Sequence, residues 1–127
     1  MINTIAAIAA GGAIGALLRY GTYSLSLKLG GEAFPWGTLF INVLGCFLMG
    51  IAVSVFASIW TPPEALRSFL IAGVLSSFTT FSAFSLDVIH LLEREQYLYM
   101  SIYYLSSVTL SVLAILLAIM FVKGFAS

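Results

Sequence analysis

The chain is poor in charge: only 8% of its 127 residues are charged, whereas 61% are hydrophobic. Soluble domains carry about a quarter of charged residues, so this composition excludes a soluble globular protein and predicts an integral membrane protein. The formal net charge is +0. Nucleic acid is therefore not expected as a partner, because phosphate binding requires an excess of Lys and Arg.

Cysteine is almost absent, since Cys46 is the single one and lies inside an apolar run. A lone thiol can form neither an internal disulfide nor a cysteine-based metal site. We interpret Cys46 as a packing residue.

Long apolar runs dominate the sequence, and about 20 helical residues are needed to cross a bilayer. Four such runs lie near residues 4–25, 36–59, 66–92 and 97–122. The first has no basic region before it and ends at Arg19 and Tyr20 instead of a cleavage site, so we predict that it is a retained helix. The sequence therefore predicts one all-α domain over residues 1–127, with four transmembrane helices.

Residues 73–85 are the polar exception within the third run. They contain three phenylalanines and six hydroxyl residues, namely Ser76, Ser77, Thr79, Thr80, Ser82 and Ser85. Because Ser and Thr hydroxyls compete for main-chain hydrogen bonds, this density predicts a helix broken at mid-membrane, with free carbonyls facing a cavity or a partner. The alternative is a continuous helix whose hydroxyls bond back to its own carbonyls while the phenylalanines face lipid.

Two other helices carry polar residues at helical spacing. Asn42 follows Thr38 by four residues, and it either joins helices or binds a ligand with its amide. Tyr103, Ser107 and Ser111, here called the hydroxyl file, recur every four residues on the last helix. Such a file is consistent with donors along a path and equally with tight helix packing.

Two glycines and three ionisable residues allow further predictions about packing and pairing. Gly11 and Gly15 share one face of the first helix and predict close approach of another backbone. Arg19 either reaches the headgroups or pairs with a carboxylate. Asp87 and His90, three residues apart, could pair near the interface.

The cationic residues are nearly balanced across the membrane. One side would hold Arg67 and Lys123, and the other Arg19, Lys28 and Arg94. Because Lys and Arg asymmetry sets orientation, this balance predicts insertion in both directions. A chain inserted both ways can form an antiparallel dimer with its two-fold axis in the membrane plane.

Three segments resemble the signature blocks of the Fluc (CrcB) family of fluoride ion channels. They read GGAIGALLRY at 11–20, GTLFINVLG at 37–45 and TTFSAFS at 79–85. The resemblance implies an antiparallel, dual-topology homodimer with two pores in the inner (plasma) membrane. It would export cytoplasmic fluoride by passive electrodiffusion and so relieve fluoride toxicity, with no enzymatic activity.

The resemblance also implies roles for single residues. Asn42, Phe81 and Phe84 match the fluoride pore of the family. The positive edge of an aromatic ring and an amide N–H can replace water around a small anion. A polar track beside the pore would consist of Thr38, Tyr103, Ser107 and Ser111. Arg19 would have a vestibule or structural role.

A structural Na⁺ at the dimer interface is a further implication of the resemblance. The main-chain carbonyls of Ser76 and Thr79, with their symmetry mates, would hold it. The chain departs from the family pattern at Ser76 and Ser77, where two glycines are usual. It also has Asp87 in place of a glutamate and Ala83 in place of a common threonine.

Two other classes of function remain as alternatives. A small multidrug-type antiporter also has four short helices, but it couples to protons through a membrane-embedded carboxylate, and the first helix here has none. A non-transporting assembly subunit would use the polar residues only to join helices and would show no ion flux.

Overall fold

The computed structural model describes residues 1–126, with only the main chain at residue 126. These residues form helices α1 (Ile2–Gly30), α2 (Trp36–Ser58), α3 (Glu64–Ser68), α4 (Ser76–Phe78), α5 (Phe81–Glu93) and α6 (Tyr97–Ala126), with a π-helical segment (Phe69–Leu75) between α3 and α4. The third span (Glu64–Glu93) comprises α3, the π-helical segment, α4 and α5. Within the described residues, four spans are long and apolar enough to cross a membrane. The predicted all-α class is confirmed.

Several helices extend beyond the predicted apolar runs. The first ends at Gly30 instead of residue 25, because Leu27, Lys28 and Leu29 are good helix formers although Lys28 lowers the hydropathy of this turn. Gly31 then stops it, with a positive φ of 74° that glycine tolerates best and an N–H that donates to the Leu27 carbonyl. The third span begins at Glu64, directly after Pro63, since a carboxylate stabilises the first turn of a helix.

Main-chain contact joins α1 to the third span. A Cβ on Gly11 would collide with the Phe69 carbonyl oxygen, and one on Gly15 would collide with the Val74 carbonyl oxygen. Likewise, a Cβ on Gly73 would lie 2.8 Å from the Gly11 Cα. The predicted close approach of a backbone at Gly11 and Gly15 is therefore confirmed, and its partner is the π-helical segment.

Helices α2 and α6 form the second tight pair. A Cβ on Gly50 would lie 2.7 Å from the Ile115 carbonyl oxygen and 2.8 Å from the Ala118 Cβ, so α6 crosses α2 at close range. The buried cluster beside this pair consists of Phe34, Phe84, Leu91 and Tyr103. This packing brings the hydroxyl file on α6 next to the face of α2 that carries Asn42.

The third span is broken at its middle. Helix α4 ends at Phe78 and α5 begins at Phe81, while Thr79 (φ −80°, ψ 155°) and Thr80 (φ −155°, ψ 124°) are extended. We call these two threonines the break. The predicted mid-membrane interruption is confirmed, and the alternative of a continuous helix is wrong.

Candidate functional site

Asn42 bonds to the main chain of the break. Its Nδ2 donates to the Thr80 carbonyl at 3.0 Å, and its Oδ1 accepts from the Thr80 N–H at 2.9 Å. The amide was predicted either to join helices or to bind a ligand, and the structure shows that it joins α2 to the third span. One of the two N–H groups on Nδ2 is used in this way, and the other stays available.

Several carbonyls at the break lose their helical donors, and those of Ser76 and Thr79 are among them. In a continuous helix the Thr80 N–H would bond to the Ser76 carbonyl and the Ala83 N–H to the Thr79 carbonyl. Here the Thr80 N–H donates to Asn42, and the Ala83 N–H donates to Thr80 Oγ1 at 3.2 Å. The carbonyls of Ser76 and Thr79, the residues predicted to hold a cation, are thus among those that the break frees.

The serines that replace the usual glycines fit this backbone. Ser76 has helical angles (φ −68°, ψ −30°), so no left-handed conformation is required there. Its hydroxyl donates to the Ile71 carbonyl at 2.7 Å. Within residues 1–126 no three His, Cys, Asp or Glu side chains group to hold a metal ion, so a cation at the break would depend on main-chain oxygens.

An open cleft of about 560 Å³ lies between α2, the break and α6. Its walls are uncharged and consist of Asn42, Cys46, Ser76, Thr79, Thr80, Phe81, Phe84, Ser107, Val108, Ser111 and Val112. An amide, hydroxyls and aromatic rings thus share one cavity at mid-span. Most of the predicted site residues meet there.

The two predicted pore phenylalanines have different environments. The Phe84 side chain is 6% exposed and forms a wall of the cleft, whereas Phe81 is 77% exposed. Their ring centroids are 5.6 Å apart, with planes inclined by 46°. Phe81 therefore extends the aromatic wall of the cleft onto the outer surface of the chain.

Ser107 lines the cleft and carries a buried, unbonded hydroxyl. The side chain is 5% exposed, and its Oγ has no hydrogen-bond partner in the described part of the chain. Leaving a buried hydroxyl unpaired costs about 1–3 kcal/mol. Ser107 and Ser111, which lies one turn away, thus place two hydroxyl side chains on the same wall of the cleft.

The remaining two members of the predicted polar track lie outside the cleft. Thr38 and Tyr103 are fully buried, and the Thr38 hydroxyl lies beside that of Tyr103. The Tyr103 hydroxyl donates to Asp87 Oδ2 at 3.0 Å. The hydroxyl file therefore divides, with Ser107 and Ser111 on the cleft and Tyr103 in the core. Asp87 bonds across helices, which corrects its predicted pairing with His90.

A second cavity, of about 270 Å³, lies where α1, α2 and α5 reach the first loop. Ionisable residues line it, in contrast to the cleft: Glu32, Asp87, His90 and Arg94. Arg94 Nη1 donates to the Glu32 carbonyl at 3.4 Å. In the described structure Arg19 is half-buried on α1 and lines neither of these two cavities.

Sequence reasoning missed two residues of the site. Thr80 was one hydroxyl among six, although a Thr three residues before Ala83 matches the usual cap at a helix N-terminus. Its bond to Asn42 joins residues 38 apart and leaves no local signal. Cys46, interpreted as packing, lines the cleft one turn from Asn42.

The fold and the cleft define a small multi-pass integral membrane protein with an uncharged polar cavity at mid-span. The chain belongs to the CrcB-like protein family, whose model, described as "CrcB-like protein, Camphor Resistance (CrcB)", matches residues 6–119. That match includes every residue that lines the cleft.

Relatives cover nearly the whole chain. It is 46% identical over 119 residues to "Fluoride-specific ion channel FluC" of Rhizobium leguminosarum bv. trifolii (strain WSM2304), covering 94% of this chain and 95% of that protein. It is 50% identical over 115 residues to the protein of the same name from Rhizobium meliloti (strain 1021), covering 90% and 91%. It is 45% identical over 115 residues to the protein of that name from Agrobacterium fabrum (strain C58 / ATCC 33970), covering 91% of this chain and 91% of that protein.

Proposed function

We propose that this chain forms a fluoride-selective channel through which fluoride leaves the cytoplasm passively. The observation that carries the proposal is the uncharged cleft at the break, where the buried Ser107 hydroxyl has no partner within the described residues. Relatives at 45–50% identity bear the name of fluoride-specific ion channels, and the similarity extends over the whole cleft.

The cleft offers donors suited to a small, strongly hydrated anion. The second N–H of Asn42 and the hydroxyls of Ser107 and Ser111 can replace water ligands. Ring hydrogens of Phe81 and Phe84 supply a weakly positive edge. Because the walls carry no fixed charge, they offer many weak contacts, and an ion can leave such sites quickly.

An antiparallel homodimer is part of the proposal. Phe81 and the hydroxyl-bearing Ser76 are exposed at the middle of the third span, and an interrupted backbone is not stable against lipid. A second copy in the opposite orientation would cover both and complete two pores. The near balance of loop cations supports insertion in both orientations.

A structural Na⁺ on the two-fold axis is likewise proposed. The carbonyls of Ser76 and Thr79 lack their helical donors, and two copies would supply four such oxygens. Hard carbonyl oxygens suit an alkali cation. When bound, this ion would hold the two breaks together by electrostatic attraction.

The two alternatives fit the cleft less well. Proton-coupled antiport requires a titratable carboxylate in the transport path. Helix α1 has no acidic residue, and the Asp87 carboxylate lines the second cavity while it accepts from Tyr103. A subunit that only joins helices leaves the unbonded Ser107 hydroxyl without an explanation.

Fluoride release from liposomes tests the function directly. Purified protein in vesicles loaded with fluoride should release it when the membrane potential is clamped and no proton gradient is imposed. Release that requires a proton gradient would support the antiporter, and no release would support the assembly subunit. Protein-free vesicles and vesicles loaded with chloride are the controls.

Forced orientation tests the dimer. Several Lys added to one side should fix the orientation of the chain and abolish release. Co-expression with an oppositely biased copy should restore it. Full activity of a chain held in one orientation would rule out the antiparallel assembly.

A further inference from the structure

The Asn42 amide replaces helical bonding at the break. It pairs with both the N–H and the carbonyl of Thr80, at 2.9 and 3.0 Å, from a different span. Thr80 is extended, with φ −155° and ψ 124°. One side chain thus pairs the Thr80 N–H and adds a donor to the Thr80 carbonyl, which as the N-cap carbonyl also accepts the first bond of α5. Main-chain groups at membrane depth cannot be left unpaired without cost.

This pairing organises the groups on either side of Thr80. It diverts the N–H that would have closed on the Ser76 carbonyl. It also leaves Thr80 Oγ1 in place to accept from the Ala83 N–H and so begin α5, whose first residue is Phe81. The free carbonyl and the exposed ring therefore depend on the same amide.

The orientation of the amide has an electrostatic consequence. An amide oxygen facing the cleft would repel an anion, but Oδ1 of Asn42 is turned to the Thr80 N–H. A second contact fixes the height of α2 at the break, since a Cβ on Gly45 would collide with the Thr79 Cγ2. Helix α2 thus holds the break at two successive turns.

We infer that Asn42 is a positioning residue for permeation, because its amide clamps the Thr80 main chain in the extended form that opens the third span. The inference rests on the proposed channel function. It differs from a role in which Asn42 contributes only a donor to the ion, since a clamp requires an acceptor and a donor at once. A serine at this position keeps a donor but cannot span both groups of Thr80.

The test compares Asn42→Ser with Asn42→Ala in the full chain. Hydrogen exchange of the Thr80 amide, followed by NMR in micelles, should accelerate about tenfold to a hundredfold in both variants, because two hydrogen bonds are lost. Fluoride efflux should fall by a similar factor in both. Ser54→Ala is the matched control, since Ser54 is buried on the same helix about three turns away and should change neither quantity.

Two results would overturn the inference. Asn42→Ser could retain most of the efflux while the Thr80 amide exchanges rapidly, which would make Asn42 a donor to the ion. Efflux could also disappear in both variants while exchange at Thr80 stays slow. Wild-type protein that releases no fluoride would refute the proposed function instead, and exchange at Thr80 would still decide whether Asn42 holds the break.

A second pair of variants covers the case in which Asn42 variants fail to fold. Gly45→Ala should push Thr79 away and loosen the clamp without changing Asn42, so exchange at Thr80 should rise and efflux should fall together. Adding Thr79→Ser to the Gly45→Ala variant removes the methyl group that collides with the new Cβ. It keeps the hydroxyl, which donates to the Leu75 carbonyl at 3.1 Å. In this double variant, exchange at Thr80 and fluoride efflux should both return towards their wild-type values. If efflux recovers while exchange at Thr80 stays fast, the result contradicts the clamp.

Discussion

The two faces of the third span are built in opposite ways. Towards α1, the glycines Gly11 and Gly15 bring main chains into contact with the carbonyls of Phe69 and Val74, and no room remains for a methyl group. Towards α2 and α6, the same span borders an open cleft of about 560 Å³ lined by hydroxyls, an amide and rings. The first face serves folding, and our proposal places permeation on the second.

The neighbouring serines of α4 show how sharply the faces divide. Ser76 lines the cleft, whereas the Ser77 hydroxyl lies 3.3 Å from the position that a Cβ on Gly12 would occupy. One helical step therefore moves a hydroxyl from the permeation face to the packed face. Variants on each face should consequently affect different measurements.

The largest expected effect is that of Asn42→Asp on the open face. A fixed negative charge about 4 Å from a passing anion costs about 4 kcal/mol at an effective dielectric constant near 20, which slows permeation about a thousandfold. Fluoride efflux per folded dimer measures it. Asn3→Asp, in the exposed first turn of α1, is the matched control and should leave efflux unchanged.

Phe81→Ile should be next in size. Isoleucine keeps the ring's apolar character but removes the quadrupole, so efflux should fall about tenfold or more while the dimer still forms. Size exclusion and efflux from the same preparation provide the measurement. Phe121→Ile, on an exposed ring near the end of α6, should have no such effect.

Gly15→Ala examines the packed face. The added methyl would meet the Val74 carbonyl oxygen, which belongs to the backbone and cannot turn aside, so stability should fall by about 1–3 kcal/mol. Thermal denaturation in detergent measures this loss. Gly21→Ala is the control, because a Cβ there meets nothing within 4 Å among the described residues. Equal stability of the two variants would show that the main-chain contact is not required.

The smallest expected effect is that of Tyr103→Phe, which removes the hydroxyl that donates to Asp87. Losing a hydrogen bond to a carboxylate should cost about 1.5 kcal/mol of stability. Tyr104→Phe removes an exposed hydroxyl from the next residue and should cost less. If both variants denature at the same temperature, the Tyr103 to Asp87 bond does not stabilise the fold.

Sequence patterns predicted the fold because its determinants are local or nearly so. Hydropathy located the four spans, and the hydroxyl density of residues 73–85 located the break. The end of α1 lies beyond the predicted run because Leu27, Lys28 and Leu29 favour helix, and hydropathy reports lipid exposure and not helix propensity.

The candidate site was predicted only in part, because its key bonds join distant residues. Nothing near Asn42 in the sequence indicates that its amide bonds to Thr80. Tyr103 shares its helical spacing with Ser107 and Ser111, yet it turns into the core, where its hydroxyl donates a hydrogen bond to Asp87 of α5. The spacing of four residues correctly predicted that the three side chains share one face of α6. Which of them line the cleft depends on hydrogen-bond partners on other helices, which the spacing does not report.

The ratio of fluoride efflux to folded dimer, measured side by side for Phe81→Ile and Gly15→Ala, tests the division between the two faces most directly. We expect the ratio to fall about tenfold or more for Phe81→Ile and to stay at the wild-type value for the Gly15→Ala protein that folds. A wild-type ratio for Phe81→Ile, or a ratio that falls equally in both variants, would contradict the assignment of permeation to the cleft.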